Sequence, residues 1–205
     1  MLDIIPMSED LILASSSRIR ADMLRAAGLR IEIESPKVDE QSLKAALQAE
    51  EAPPRDIADT LAEAKARKVS ARHPDKLVLG CDQVLEIDRE ILTKPESKKQ
   101  AREQLVRLRG QKHRLLSAAV LYEDAQPIWR HVGTARLTMR KFSDDYLEAY
   151  LQRNWPDVAT SVGGYKLEAE GVRLFSVVEG DHFIILGLPL LELLSYLTNR
   201  GTLPA

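Results

Sequence analysis

Leu77-Val78-Leu79-Gly80-Cys81-Asp82-Gln83-Val84-Leu85-Glu86-Ile87 is the stretch that decides how the rest of the chain is read. Leu77 to Leu79 is a short apolar run of the kind that makes a buried strand, and Val84 to Ile87 continues the β pattern to a turn at Asp88-Arg89. Between them, Gly80 to Gln83 sets a polar patch into an apolar sheet segment. An acid at the end of such a strand commonly lines a site in α/β folds. Asp82 is therefore the first candidate for chemistry.

On the N-terminal side, Leu11 to Ala14 is an apolar run that ends at Ser15-Ser16-Ser17. Ile19, Met23, Leu24 and Ala27 follow at helical spacing before Gly28. Strand, polar turn and helix in that order leave the serine turn and the first helical amides free to meet an anion. Ile31 to Ile33 reads as a second strand, and Val38-Asp39-Glu40 leads into a region rich in Ala, Leu, Lys and Glu. Pro53-Pro54 separates two helices. The second, near Asp56 to Ala71, carries Ile57, Leu61, Ala64 and Lys68 along its turns, with Lys65 beside the apolar stripe.

On the C-terminal side, Thr93-Lys94-Pro95 precedes a helix from a Ser97 cap to Arg109, with Gly110 beyond its end. Two long β segments lie near Arg114 to Tyr122 and Ile128 to Lys141. Ser143 caps a helix over Asp144 to Leu151, Gly163-Gly164 opens a loop holding Lys166, Glu168 and Glu170, and Leu174 to Val178 resumes a strand. The apolar segment from Phe183 to Leu197 contains Pro189 and Glu192 and falls short of a membrane span. It reads as a strand followed by a core helix that starts at Gly187-Leu188-Pro189. Met1 to Ser17 has acidic residues where an export signal wants basic ones.

The length of 205 residues suits one domain over 1–205, with room for two closely joined lobes. Lys+Arg 29 against Asp+Glu 31 gives a net charge of -2, which lacks the basic excess of a chain that wraps nucleic acid. Three Phe, five Tyr and two Trp are few for a stacking platform on single strands. A single cysteine, Cys81, excludes an internal disulfide and fits a reducing compartment, with the cytoplasm as the default. His73, His113, His131 and His182 are widely separated and lack the spacing of a zinc site.

Four features share one logic: the serine and arginine turn, Glu40, Asp82 and Lys94. Carboxylates hold a hard divalent ion or take a proton from water, while Arg and Lys neutralise a polyphosphate. Together they describe phosphoryl chemistry.

Ala14-Ser15-Ser16-Ser17 through Arg20, Val38-Asp39-Glu40, Leu61-Ala62-Glu63-Ala64-Lys65-Ala66, Gly80-Cys81-Asp82-Gln83, Lys94-Pro95, and Glu179-Gly180-Asp181 with Gly187-Leu188-Pro189-Leu190 resemble successive motifs of the Maf family. Their order covers nearly the whole chain. The resemblance implies an α/β fold of the Maf/ITPase-like kind, an elongated mixed sheet with flanking helices and a deep central cleft. It implies hydrolysis of a nucleoside triphosphate between the α and β phosphates, with a divalent cation, Mg²⁺ or Mn²⁺. It further implies a cytoplasmic enzyme that clears unwanted nucleotides, with a homodimer as a frequent state in the family; the near-neutral charge and the short apolar segments leave no nucleic-acid polymer and no membrane as expected partners.

Residue by residue, the resemblance makes Asp82 the catalytic base, sharing the metal with Glu40. Ser15, Arg20, Lys65 and Lys94 become phosphate ligands, and Arg18 stands where many members carry proline. Gln83 and Glu168 match the branch that prefers 7-methyl-GTP. That branch carries an aromatic residue where this chain has Ile19, and an aliphatic side chain offers no special attraction to a cationic base. The alternative is a nucleotide-binding regulator of septum formation that acts without essential turnover.

Overall fold

In a computed structural model, residues 11–204 are described. The reading of the N-terminus for export rests largely on residues 1–10, which lie outside them. The elements run β1 (Leu11–Ala14), α1 (Arg18–Ala26), β2 (Ile31–Ile33), α2 (Glu40–Ala49), α3 (Pro54–Ser70), β3 (Leu77–Ile87), β4 (Glu90–Leu92), α4 (Lys98–Leu108), β5 (Lys112–Glu123), β6 (Gln126–Met139), α5 (Asp144–Asn154), β7 (Phe175–Glu179), α6 (His182–Ile185) and α7 (Leu190–Asn199). The strands form one mixed sheet in the order β2-β1-β3-β5-β6-β7, with β4 added to β3. β1 pairs in parallel with β2 and β3, whereas β3–β4 and β6–β7 are antiparallel. This is the mixed α/β architecture expected from the motifs.

The chain forms two compact units. Of the described residues, the first takes 11–82, 117–133 and 187–204, and the second takes 83–116 and 134–186. In the first unit, β1 and the start of β3 are buried on both faces, which explains their unbroken apolar sequence. α3 lays Ile57, Ala58, Leu61, Ala62, Ala66 and Val69 against them, a face of closely spaced small and branched side chains. Ser17 stands at the N-cap of α1, and Asp39 caps α2 by accepting from the Ser42 amide at 3.0 Å. No residue of α2 is fully buried.

The second unit has its own core, in which Leu85, Ile87, Leu105, Leu108, Leu137, Leu147, Tyr150 and Leu151 are among the residues packed together. Its helices begin on side-chain caps, Ser97 accepting from the Gln100 amide and Ser143 from the Tyr146 amide. Three 3₁₀ turns lie at Asp157–Thr160, Val162–Gly164 and Glu170–Leu174, and the last two bracket the loop that holds Lys166 and Glu168.

Two local differences from the sequence reading have plain causes. Glu90–Leu92 is a strand because Asp88 and Arg89 both adopt positive φ, 51° and 66°, which gives the tight hairpin turn matched to strand twist. The stretch after Asp181, expected to open as a strand, is the helix α6. The Asp181 carboxylate accepts from the Phe183 amide at 2.9 Å, an N-cap that outweighs the β preference of Phe183-Ile184-Ile185.

Candidate active site

The site in the first unit grows from the contact between β3 and α3. Gly80 lies so close to α3 that a Cβ there would fall 2.2 Å from the Ala62 carbonyl oxygen and 2.6 Å from the Ala66 nitrogen. Glycine on the strand and alanines on the helix therefore belong together, because larger side chains would hold the backbones apart. Two residues beyond Gly80 the strand presents Asp82, and between the two alanines the helix presents Lys65. The close approach brings Lys65 Nζ to 2.7 Å from Asp82 Oδ1.

Lys65 Nζ also forms an ion pair with Glu40 Oε2 at 2.8 Å, so one buried ammonium joins a carboxylate from β3 to one from the start of α2. Lys65 is 6% exposed and Asp82 7%, whereas the Glu40 side chain is half exposed. The surroundings strengthen each charge–charge contact relative to water. Lys44, one helical turn after Glu40, is partly buried, and burial pulls its ammonium below the usual lysine range against the opposing pull of Asp82 and Glu40.

Arg20 stands on α1, 9% exposed, and its guanidinium is held by neutral oxygens. Nε donates to the Gly187 carbonyl at 2.8 Å, and Nη1 donates to the Cys81 carbonyl at 3.1 Å and to Ser15 Oγ at 3.3 Å. Ser15 Oγ in turn accepts from the Ser17 amide at 3.2 Å, which ties the serine turn to the start of the helix. Among the described residues no carboxylate pairs with Arg20. Its positive charge is thus fixed in place without being neutralised. Arg18, by contrast, extends into solvent, with Asp22 3.7 Å away.

The first unit therefore brings together Ser15, Arg20, Glu40, Lys65 and Asp82. Ile19 is half-buried on α1, immediately before Arg20. Gln83, Lys94 and Glu168 belong to the second unit. There Gln83 Nε2 donates to the carbonyls of Ile184 at 3.1 Å and Ile185 at 3.0 Å, so its amide is oriented by the end of α6. Lys94 is exposed just before buried Pro95, and Glu168 is exposed between two of the 3₁₀ turns. Cys81 is fully buried, and burial pushes its thiol up to about 11, which keeps it protonated and unreactive at neutral pH.

Two participants escaped the sequence reading. The Gly187 carbonyl that anchors Arg20 is a backbone atom far away in the chain and leaves no side-chain signal. Lys44 did leave one, since its four-residue spacing from Glu40 puts both on one face of α2.

Asp82 and Glu40 are hard oxygen donors of the type that Mg²⁺ and Mn²⁺ take. Among the described residues no cluster of three or more His, Cys, Asp or Glu is assembled. A pair of carboxylates fits the mode in which Mg²⁺ keeps waters and takes its other ligands from substrate phosphates.

With this geometry in place, comparison with known proteins gives a clear result. The family of Maf-like proteins matches residues 10–200. The chain belongs to the Maf family. A Ruegeria pomeroyi relative named nucleoside triphosphate pyrophosphatase is 58% identical over 197 residues, covering 96% of this chain and 99% of that protein. A Mesorhizobium japonicum relative named 7-methyl-GTP pyrophosphatase is 46% identical, with the same 96% and 99% coverage. A solved structure from Mycobacterium abscessus, described as a nucleoside-triphosphatase or dITP/XTP pyrophosphatase, overlays with a TM-score of 0.42 at 12% identity over 94% of each chain. No helix among the described residues is long and apolar enough to cross a membrane.

Proposed function

We propose that this chain hydrolyses nucleoside triphosphates at the α–β bridge, releasing a nucleoside monophosphate and pyrophosphate. The observation that carries the reading is the buried Lys65 shared by Asp82 and Glu40, next to the unneutralised Arg20. Cations held in a dry setting attract a polyphosphate, and carboxylates beside them serve water activation and metal binding. Full-length likeness to relatives named for this activity supports the same conclusion.

In this reading Arg20, held on three sides, offers its remaining donors to phosphate oxygens. Asp82 accepts the proton of the attacking water, whose oxygen forms the new P–O bond as the bridging P–O bond breaks. Lys65 offsets the charge that builds on the departing pyrophosphate. A divalent cation on Asp82 and Glu40 would neutralise phosphate charge and favour hydroxide over water. Lys94 is assigned to the phosphates, and Gln83 with Glu168 to the base. Buried, reduced Cys81 suits the cytoplasm, where the substrates are.

The test is a screen of purified protein with Mg²⁺ or Mn²⁺ over the natural triphosphates and 7-methyl-GTP. The expected result is pyrophosphate and nucleoside monophosphate in equal amounts, abolished by a chelator and restored by added metal. Release of orthophosphate and a diphosphate would overturn the bond assignment. No product from any triphosphate by a folded protein would overturn the activity. The same screen ranks the bases, with Ile19 arguing against a special preference for a cationic one.

A further inference from the structure

Lys44 lies beside the Asp82, Glu40 and Lys65 cluster and has no role in the arrangement so far. It sits on α2 one turn beyond Glu40, so both side chains leave the same face of the helix. It is partly buried, and its charge is felt by Asp82 and Glu40. Yet the ammonium makes no hydrogen bond or ion pair among the described residues, whereas Lys65 takes Asp82 Oδ1 and Glu40 Oε2. A lysine in water loses nothing by lacking a partner, but one drawn partly out of water does. Lys44 and Lys65 are balanced by the two carboxylates, and Arg20, held by neutral oxygens alone, adds a positive charge to the first unit.

From this placement we infer that Lys44 is a substrate-binding residue, whose ammonium takes a phosphate oxygen of the triphosphate. The inference rests on the proposed pyrophosphatase reading and adds a phosphate ligand to it. α2 has no fully buried residue. Its partly buried Leu43 and Leu47 are supplemented by a polar contact, the Glu40 to Lys65 pair at its first residue, and with substrate bound Lys44 adds another at its second turn.

The experiment measures binding of inorganic triphosphate, a probe without a base, by calorimetry to the wild type and to Lys44→Met, Lys44→Arg and Lys99→Met. Lys99 is an exposed residue of α4 and serves as a charge-matched control. Turnover of the best nucleotide from the screen is followed in parallel, with melting temperature as the check on folding. A charge-assisted hydrogen bond is worth enough that K44M should bind triphosphate about tenfold or more weakly, with KM raised by a similar factor and kcat changed less. K44R should recover most of the affinity, and K99M should match the wild type. If K44M binds and turns over like the wild type, the inference is overturned while the pyrophosphatase reading stands. If K44R is as weak as K44M, a charge contact to phosphate is ruled out. If the wild type neither binds triphosphate nor releases pyrophosphate, both readings fall together.

Discussion

Burial at Arg20 and Lys65 is tolerated for opposite reasons. Lys65 is paired with two carboxylates, whereas Arg20 has only carbonyl and hydroxyl oxygens and no counter-ion among the described residues. Two predictions belong at this scale. Asp82→Asn keeps an oxygen for Lys65 to bond and leaves the Glu40 pair intact, so the melting temperature should change little. Turnover should nevertheless fall by about 10²–10⁴, the usual worth of a general base. Nucleotide binding that persists without turnover is the expected pattern in D82N, and activity close to wild type would remove Asp82 from the chemistry. Gly187→Ala places a methyl group 3.1 Å from both Nε and Nη2 of Arg20, at a backbone φ of +100° that side chains rarely adopt. Strain of about 1–3 kcal/mol and a displaced guanidinium should follow, visible as a lower melting temperature and a raised KM. A KM unchanged in G187A would show that Arg20 does not hold substrate.

For α3 and β3, the distance between two backbones matters more than any single side chain. Gly80 meets the Ala62 carbonyl and the Ala66 amide, atoms that cannot rotate away. Gly80→Ala should therefore push the strand from the helix, at about 1–3 kcal/mol or more for an overpacked core. Because Asp82 and Lys65 sit on those same elements, their 2.7 Å contact should lengthen as well. Loss of both stability and kcat/KM is expected, read by chemical denaturation and steady-state kinetics. A variant that is destabilised but fully active would mean the catalytic pair does not depend on this approach.

Acid tolerance is a property of the whole molecule, and in the second unit His113 contributes to it between about pH 6.5 and pH 4. This residue is 1% exposed; its Nε2 shares a hydrogen bond with the Tyr165 hydroxyl at 2.8 Å, and its Nδ1 has no partner. Burial pushes its pKa down from 6.5 to about 4. Between those values the unfolded chain binds a proton that the folded chain refuses, so stability is full above about pH 6.5 and declines towards pH 4. The loss from this group amounts to about 3 kcal/mol at the lower end. Melting curves between pH 7 and pH 4.5 should show a steeper decline for the wild type than for His113→Gln. Parallel declines in the two proteins would assign acid sensitivity elsewhere.

Most strands and helices could be read from the order of the residues, since apolar spacing, serine caps and glycine stops act within a few positions. The motif order likewise pointed to the Maf family, to phosphoryl chemistry and to Asp82. Other features depend on partners far apart in the chain. α6 formed in place of a strand because a single cap at Asp181 outweighed a run of β-prone side chains. The Gly187 carbonyl beneath Arg20 lies 167 positions away and is invisible as a side chain. The sharing of Lys65 between Glu40 and Asp82, and the unmet charge of Lys44 beside them, arose only when α2, α3 and β3 packed. Local pattern determines which elements form, whereas the charge environment of a site is a sum over neighbours that only the folded chain brings within a few ångströms.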